Sequence, residues 1–232
     1  LFEAVQAVAY TLIPLAAVLL GSLFAVFRRS SEAVVSAMQH LAAGVVFAAA
    51  AAEILPQVMH EGSPVATFVG GALGVSLMLS LKAMEGRAEG PLAMLGAVGV
   101  DILIDGLVLG LAFVAGEKAG VLLTIALTLE VLFLGLTVTT ELKETTRSKA
   151  RIVGTSLGIA MLLPIGAALA TPVANFPPVI IAGFLSFGLM ALLYLVTEEL
   201  LVEAHEKPDS PLISAMFFIG FLGLLLIEEL LG

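Results

Sequence analysis

The chain has 232 residues, 60% of them hydrophobic and only 12% charged, where soluble domains carry about 25% charged residues. With a mean hydropathy of +1.13, this composition excludes a soluble globular domain, and apolar runs of roughly 20 residues point to membrane-spanning helices, not a β-barrel. A net charge of -9, from 19 acids against 10 bases, argues against nucleic-acid binding, and the absence of cysteine removes disulfides, thiolate metal sites and cysteine nucleophiles.

Eight spans are predicted, with boundaries good to a few residues. The first runs from about Phe2 to Phe27 and stops at Arg28-Arg29-Ser30-Ser31; it is too long for a signal-peptide core and has no basic residue before it. The second covers about Ala33 to Val58 and ends at His60-Glu61-Gly62-Ser63-Pro64. The third covers about Val65 to Met84, closed by the polar stretch Glu85 to Gly90, and the fourth about Pro91 to Ala115. A short turn, Gly116 to Gly120, leads to the fifth, about Val121 to Leu142, which is followed by the most basic loop, Lys143 to Arg151. The sixth covers about Ile152 to Ala170, and a Pro-rich turn, Thr171 to Pro178, separates it from the seventh, about Val179 to Glu203. His205 to Pro211 links that span to the last, about Leu212 to Leu231. No polar segment is long enough to bury a core of its own, so residues 1–232 are expected to form one polytopic transmembrane domain.

Arg28, Arg29, Lys82, Arg87, Lys143, Arg147, Lys149, Arg151 and Lys207 all follow odd-numbered spans, and only Lys118 falls on the other side. The positive-inside rule then predicts a multi-pass protein of the cell membrane with both termini outside the cytoplasm.

That topology gives the acids a depth. Glu53 lies near the outer end of span two, Asp101 and Asp105 near the middle of span four, and Glu130 near the middle of span five. Glu198, Glu199 and Glu203 lie toward the inner end of span seven, with His205 at the inner surface, and Glu228 and Glu229 at the outer end of span eight. Asp101 and Asp105 are one helical turn apart and share a face. Each such charge costs roughly 2.5–3.5 kcal/mol at the centre of a membrane helix. No Lys or Arg lies in the middle of any span. Carboxylates at similar depth on adjoining helices suit a hard or borderline divalent cation; protonated acids bonded to backbone and holding helices together are the structural alternative.

Glu199 and Glu203 share a face, Glu198 points about one hundred degrees away, and His205 adds an imidazole. This group reads as an inner release site, or as acids reaching water at the interface. Glu53, after a run of alanines that lets helices approach closely, reads as an outer gate or an interfacial residue. His40 reads as a packed or interfacial histidine and His60 as a solvated loop residue. There is no phosphate-binding loop, nucleophilic triad or paired-aspartate protease signature, so no enzyme is expected. Glu53, His60, Glu61 and Pro64 echo faintly in Glu199, His205, Glu206 and Pro211; an offset of five spans reverses direction and would make an inverted repeat.

In these features the chain resembles the ZIP (Zrt- and Irt-like) family of divalent metal transporters. Asp101-Ile102-Leu103-Ile104-Asp105-Gly106 resembles the family's span-four motif, with Asp101 at its His position, Asp105 at its Glu and Gly106 at its Gly. Glu130 and Gly135 resemble the ends of the span-five motif, Glu198-Glu199 with Glu203 and His205 the span-seven pattern, and Glu53-Ile54-Leu55-Pro56 the end of span two. The chain departs from the pattern in several places. Ile102 and Val131 stand where the family has polar ligands, Leu134 replaces a Glu, Leu163 stands before Pro164 where some members place an acid, and Ile104 and Phe133 replace prolines. The loop after span three has only the six residues 85–90.

The resemblance implies an all-α bundle arranged 3+2+3, with spans 1–3 and 6–8 as inverted repeats around spans 4 and 5, and a homodimer. It implies a carrier moving a divalent metal ion toward the cytoplasm as substrate, with no other cofactor. The departures imply one metal site in place of two, with ligands Asp101, Asp105 and Glu130, release through Glu199, Glu203 and His205, and Glu53 and Glu198 along the pathway. An all-oxygen set shifts the expected ion from zinc toward manganese, iron(II) or magnesium. The rival expectations are a proton-linked carrier of another solute and a non-transporting sensor or scaffold.

Overall fold

A computed structural model describes residues 2–28, 31–85, 91–206 and 210–231. Arg29, Arg87 and Lys207, three of the residues behind the charge bias, lie outside them, as does most of the loop after span three. The described residues are helical with short turns and no strand. Eight helices are long and apolar enough to cross a membrane: Gln6–Phe27, Glu32–Glu61, Pro64–Met84, Leu95–Ala115, Glu117–Lys143, Lys149–Asn175, Pro178–His205 and Pro211–Leu231. These are spans 1 to 8 below.

The helix starts follow from local chemistry. Pro64, Pro91, Pro178 and Pro211 each open a helix, where the missing N–H has no intrahelical partner to lose. Ser31, Ser63, Ser148 and Ser210 accept the backbone N–H three residues on, at 3.2–3.4 Å, satisfying one orphan donor of the first turn.

Prolines also interrupt helices. Span 1 breaks at Thr11, three residues before Pro14, and span 6 at Met161, three residues before Pro164, because proline removes a hydrogen bond and its ring crowds the carbonyl four residues back. In span 2, Pro56 follows a π-helical segment, Ala50–Ile54. Span 7 has a second such segment, Leu195–Leu200, without a proline. Each π segment carries acids named above, Glu53 in one and Glu198 and Glu199 in the other. Spans 4 and 5, which hold no proline after Pro91, run without a break.

Spans 4 and 5 form the centre, each 61% buried over its most apolar stretch, against 22% for span 3 and 11% for span 8. The most extensive packing pairs span 1 with span 5, span 6 with span 4, span 2 with span 8, and span 3 with span 7. Glycine makes these crossings close. A Cβ on Gly21 would meet the Leu132 carbonyl, and one on Gly166 the Leu103 carbonyl; Gly106 sits against Leu163 and Gly135 against Val18. Gly44 and Gly220 do the same between spans 2 and 8, against Phe217 and Leu41, and Gly71 and Gly74 between spans 3 and 7, against Met190 and Phe187. Apolar solvent gives helices no hydrophobic drive to associate, so contact depends on backbones approaching closely, and small residues permit that.

Candidate carboxylate cavity between spans 4, 5 and 7

The unbroken spans 4 and 5 face the π segment of span 7 across a cavity of about 360 Å³. Span 4 contributes Asp101 and Asp105, span 5 contributes Glu130 and Glu141, and span 7 with the turn after it contributes Glu199, Glu203 and Glu206. None of the lining residues, among those described, is Lys, Arg or His. Asp105 and Glu130 sit deepest, each 5% exposed, while Glu141, Glu203 and Glu206 are exposed. Eleven residues of helix separate Glu130 from Glu141, roughly 16 Å at 1.5 Å per residue. The cavity therefore runs from mid-span to the end of the bundle that carries Lys143.

On the other side of Asp105 and Glu130 the interior is closed by apolar packing. Val108, Leu109, Leu122, Leu123 and Leu127 are all at most 1% exposed and belong to one core cluster. One end of the molecule thus reaches the deep carboxylates and the other does not.

Among the described residues, Glu130 Oε2 is buried and has no hydrogen-bond partner. A buried carboxylate oxygen left unpaired costs several kcal/mol unless something compensates it. The described residues hold no group of three His, Asp or Glu side chains gathered closely enough to hold one metal ion; the carboxylates are strung along the cavity.

The sequence-derived candidates separate into three places. Asp101, Asp105, Glu130, Glu199 and Glu203 come together in the cavity, joined by Glu141 and Glu206. Glu198 is exposed and does not line it. His205 lies on a shallow surface pocket with Thr197, Leu201, Val202 and Glu206, beside span 2. There, Gln39 Nε2 donates to Glu203 Oε2 at 2.7 Å and Ser36 Oγ to the Ala204 carbonyl at 2.9 Å. Glu53 is at the far end of the bundle, 3.9 Å from Lys118 Nζ, which also donates to Glu228 Oε1 at 3.3 Å. His60 is exposed, with Nδ1 2.9 Å from the Pro56 carbonyl.

Sequence reasoning left Glu141 and Glu206 unassigned and gave Lys118 and Gln39 no partner. Glu141 stands three helical turns after Glu130, a spacing that puts it near the same face. The partners of Gln39 and Lys118 depend on which helices are neighbours, and no spacing along one helix carries that.

No family model matches this chain, and no curated protein matches it.

Proposed function

We propose that the protein is a carrier for divalent metal cations, with the cavity as its central site and inner vestibule. The observation that carries this reading is the lining: seven carboxylates and no basic group, among the described residues, in a space within an apolar bundle. A cation is the ligand such a space stabilises, because each approaching positive charge offsets carboxylates already removed from water. The donors are all oxygens, which suits manganese, magnesium and iron(II), with zinc accepted less selectively. Among the described residues no three donors are close together in this state, so the ion would draw Asp101, Asp105, Glu130 and Glu199 inward as it binds.

An inverted-repeat architecture fits the same reading. One residue offset carries the Val18 and Gly21 contacts of span 1 onto Leu163 and Gly166 of span 6, and a second carries Leu103 and Gly106 of span 4 onto Leu132 and Gly135 of span 5. An offset one residue longer carries Leu41 and Gly44 onto Phe187 and Met190, Gly71 and Gly74 onto Phe217 and Gly220, and Glu53 onto Glu199. The span-4 offset also carries Asp101 onto Glu130. Repeats of opposite direction support rocking between two states, with the site near the midplane. In the orientation given by the positive-inside rule, the open end is cytoplasmic and the apolar plug around Leu109 and Leu123 is the closed outer gate. The ion then leaves past Glu199, Glu203 and Glu206.

Replacing Asp101 and Asp105 together by alanine in reconstituted vesicles should abolish manganese and zinc uptake; undiminished uptake would remove the central-site assignment. The absence of a gathered three-ligand group favours a second reading, in which the carboxylates carry protons for another solute. That reading requires flux that follows a pH gradient and persists in chelator.

A further inference from the structure

At the end of the bundle that carries the cavity mouth, the two signs of charge are separated. Acids line the mouth: Glu141, Glu203 and Glu206. Cations gather where spans 1 and 6 meet. Arg28 follows the last turn of span 1, and Arg147, Lys149 and Arg151 surround the start of span 6. All four are exposed. One contact joins the two groups: Lys149 Nζ lies 4.3 Å from the centroid of the Phe27 ring. Lys143 closes the corner from span 5 by donating to the Ala25 carbonyl.

Among the described residues, none of Arg28, Arg147, Lys149 and Arg151 forms an ion pair. The Phe27 ring takes one face of the Lys149 ammonium, but a ring does not neutralise it. Lys149 and Arg151 also stand in the first turn of the helix Lys149–Ala160, which holds no acid there and whose positive end disfavours cations. The corner therefore carries a net positive charge that this chain leaves without a counter-ion, in a protein whose formal net charge is -9.

The surface next to the cations says which anion they meet. Leu20, Leu23, Phe24 and Phe27 follow the i, i+3, i+4, i+7 spacing of one helix face, and each is at least 40% exposed. In a bilayer that face lies against acyl chains, and the cations stand at its end, where head groups begin. A molecule with an anionic head and an apolar tail matches both.

We infer that the corner of spans 1 and 6 binds an anionic phospholipid of the adjoining leaflet. Its phosphate is held by Arg28, Lys149 and Arg151, and its acyl chains run along the Leu20–Phe27 face. Guanidinium forks suit phosphate oxygens two at a time, and the ammonium adds a point charge. Basic corners between membrane helices take such head groups by charge. The bound lipid ties span 1 to span 6 and relieves the repulsion among the cations. The acids at the cavity mouth repel the same head group, so the lipid stays clear of the opening. The site does not depend on what the cavity carries.

The test is native mass spectrometry of the purified full-length chain in detergent. Phosphatidylglycerol, phosphatidylcholine of the same acyl chains, or inorganic phosphate is added, and the thermal unfolding midpoint is read in parallel. Phosphatidylglycerol is expected to be retained in preference to phosphatidylcholine and to raise the midpoint, and inorganic phosphate to leave it unchanged. A cation near an anionic head group strengthens binding roughly fivefold. Arg151→Gln should therefore weaken phosphatidylglycerol binding about fivefold, and Arg28→Gln, Lys149→Gln and Arg151→Gln together roughly 100-fold. These are exposed positions, so the substitutions leave packing intact. Lys82→Gln removes an exposed cation at the same end, outside the corner, and should bind as the native chain does. Equal retention of the two lipids overturns the site, as does an undiminished preference in the triple variant. Equal losses in Lys82→Gln and Arg151→Gln would show attraction by net charge alone and overturn it as well. A midpoint raised as much by inorganic phosphate would make the corner a free-anion site and overturn the lipid assignment.

Discussion

Lys118 Nζ stands 3.3 Å from Glu228 Oε1 and 3.9 Å from Glu53 Oε1, so one ammonium joins spans 5, 8 and 2 at the end of the bundle opposite the cavity. In the proposed orientation this is the outer mouth, and the ammonium occupies the place an arriving cation would take. The three side chains are partly exposed, so the pairing contributes only about 0–1 kcal/mol to stability. Lys118→Met is expected to leave thermal stability nearly unchanged and to raise manganese uptake at low ion concentration, since a tethered competitor is gone. Uptake curves in vesicles read this directly; unchanged or slower uptake contradicts the gate.

The deep acids can be tested apart from transport. If Asp105 and Glu130 held helices together through hydrogen bonds, Asp105→Asn and Glu130→Gln would each cost about 1–3 kcal/mol. They lie buried, and Glu130 Oε2 has no hydrogen-bond partner among the described residues, so neutral amides of the same shape relieve desolvation. Thermal unfolding of the metal-free protein in detergent is expected to show equal or higher midpoints for both variants while uptake is lost. A clear drop in the midpoint would favour a structural role.

Gly106 sits against the Leu163 carbonyl, whereas among the described residues nothing beyond its own stretch of helix lies within 4 Å of where a Cβ on Gly158 would be. Backbone cannot yield as a flexible side chain can, so Gly106→Ala is expected to destabilise by about 1–3 kcal/mol, the usual cost of overpacking. Gly158→Ala should stay within about 0.5 kcal/mol. Comparable losses at both positions would contradict the close span-4 to span-6 crossing.

The chain contains no cysteine, which makes its orientation directly measurable. Cysteines introduced at exposed Glu61 and Asn175 are expected to react with a membrane-impermeant maleimide in intact cells. Those at Glu32 and Arg147 should react only after permeabilisation. The opposite pattern reverses the proposed inside and outside.

The span count was legible because each span is a long apolar run bounded by charge, proline or serine, and these local signals also fix helix starts. The common depth of Asp101, Asp105 and Glu130 and the shared face of Glu199 and Glu203 were legible from helical spacing; that one cavity takes in both groups, and leaves His205 out, was not. Nor were neighbour relations. Gln39 with Glu203 and Lys118 with Glu228 join helices far apart in the chain, and periodicity says nothing of which helix faces which. The π segment of span 2 has a proline to announce it; that of span 7 has no local mark, and it sets which of Glu198 and Glu199 faces the cavity.

The carboxylate cavity as a cation site is tested most directly by a crystal structure of the full chain soaked with cadmium or manganese, with anomalous density located near its absorption edge. A peak between spans 4, 5 and 7, within ligand distance of Asp105 and Glu130 and with Asp101 or Glu199 drawn in, is the predicted result. A fully exchanged crystal with no peak among these carboxylates, at ion concentrations that support flux, would contradict it.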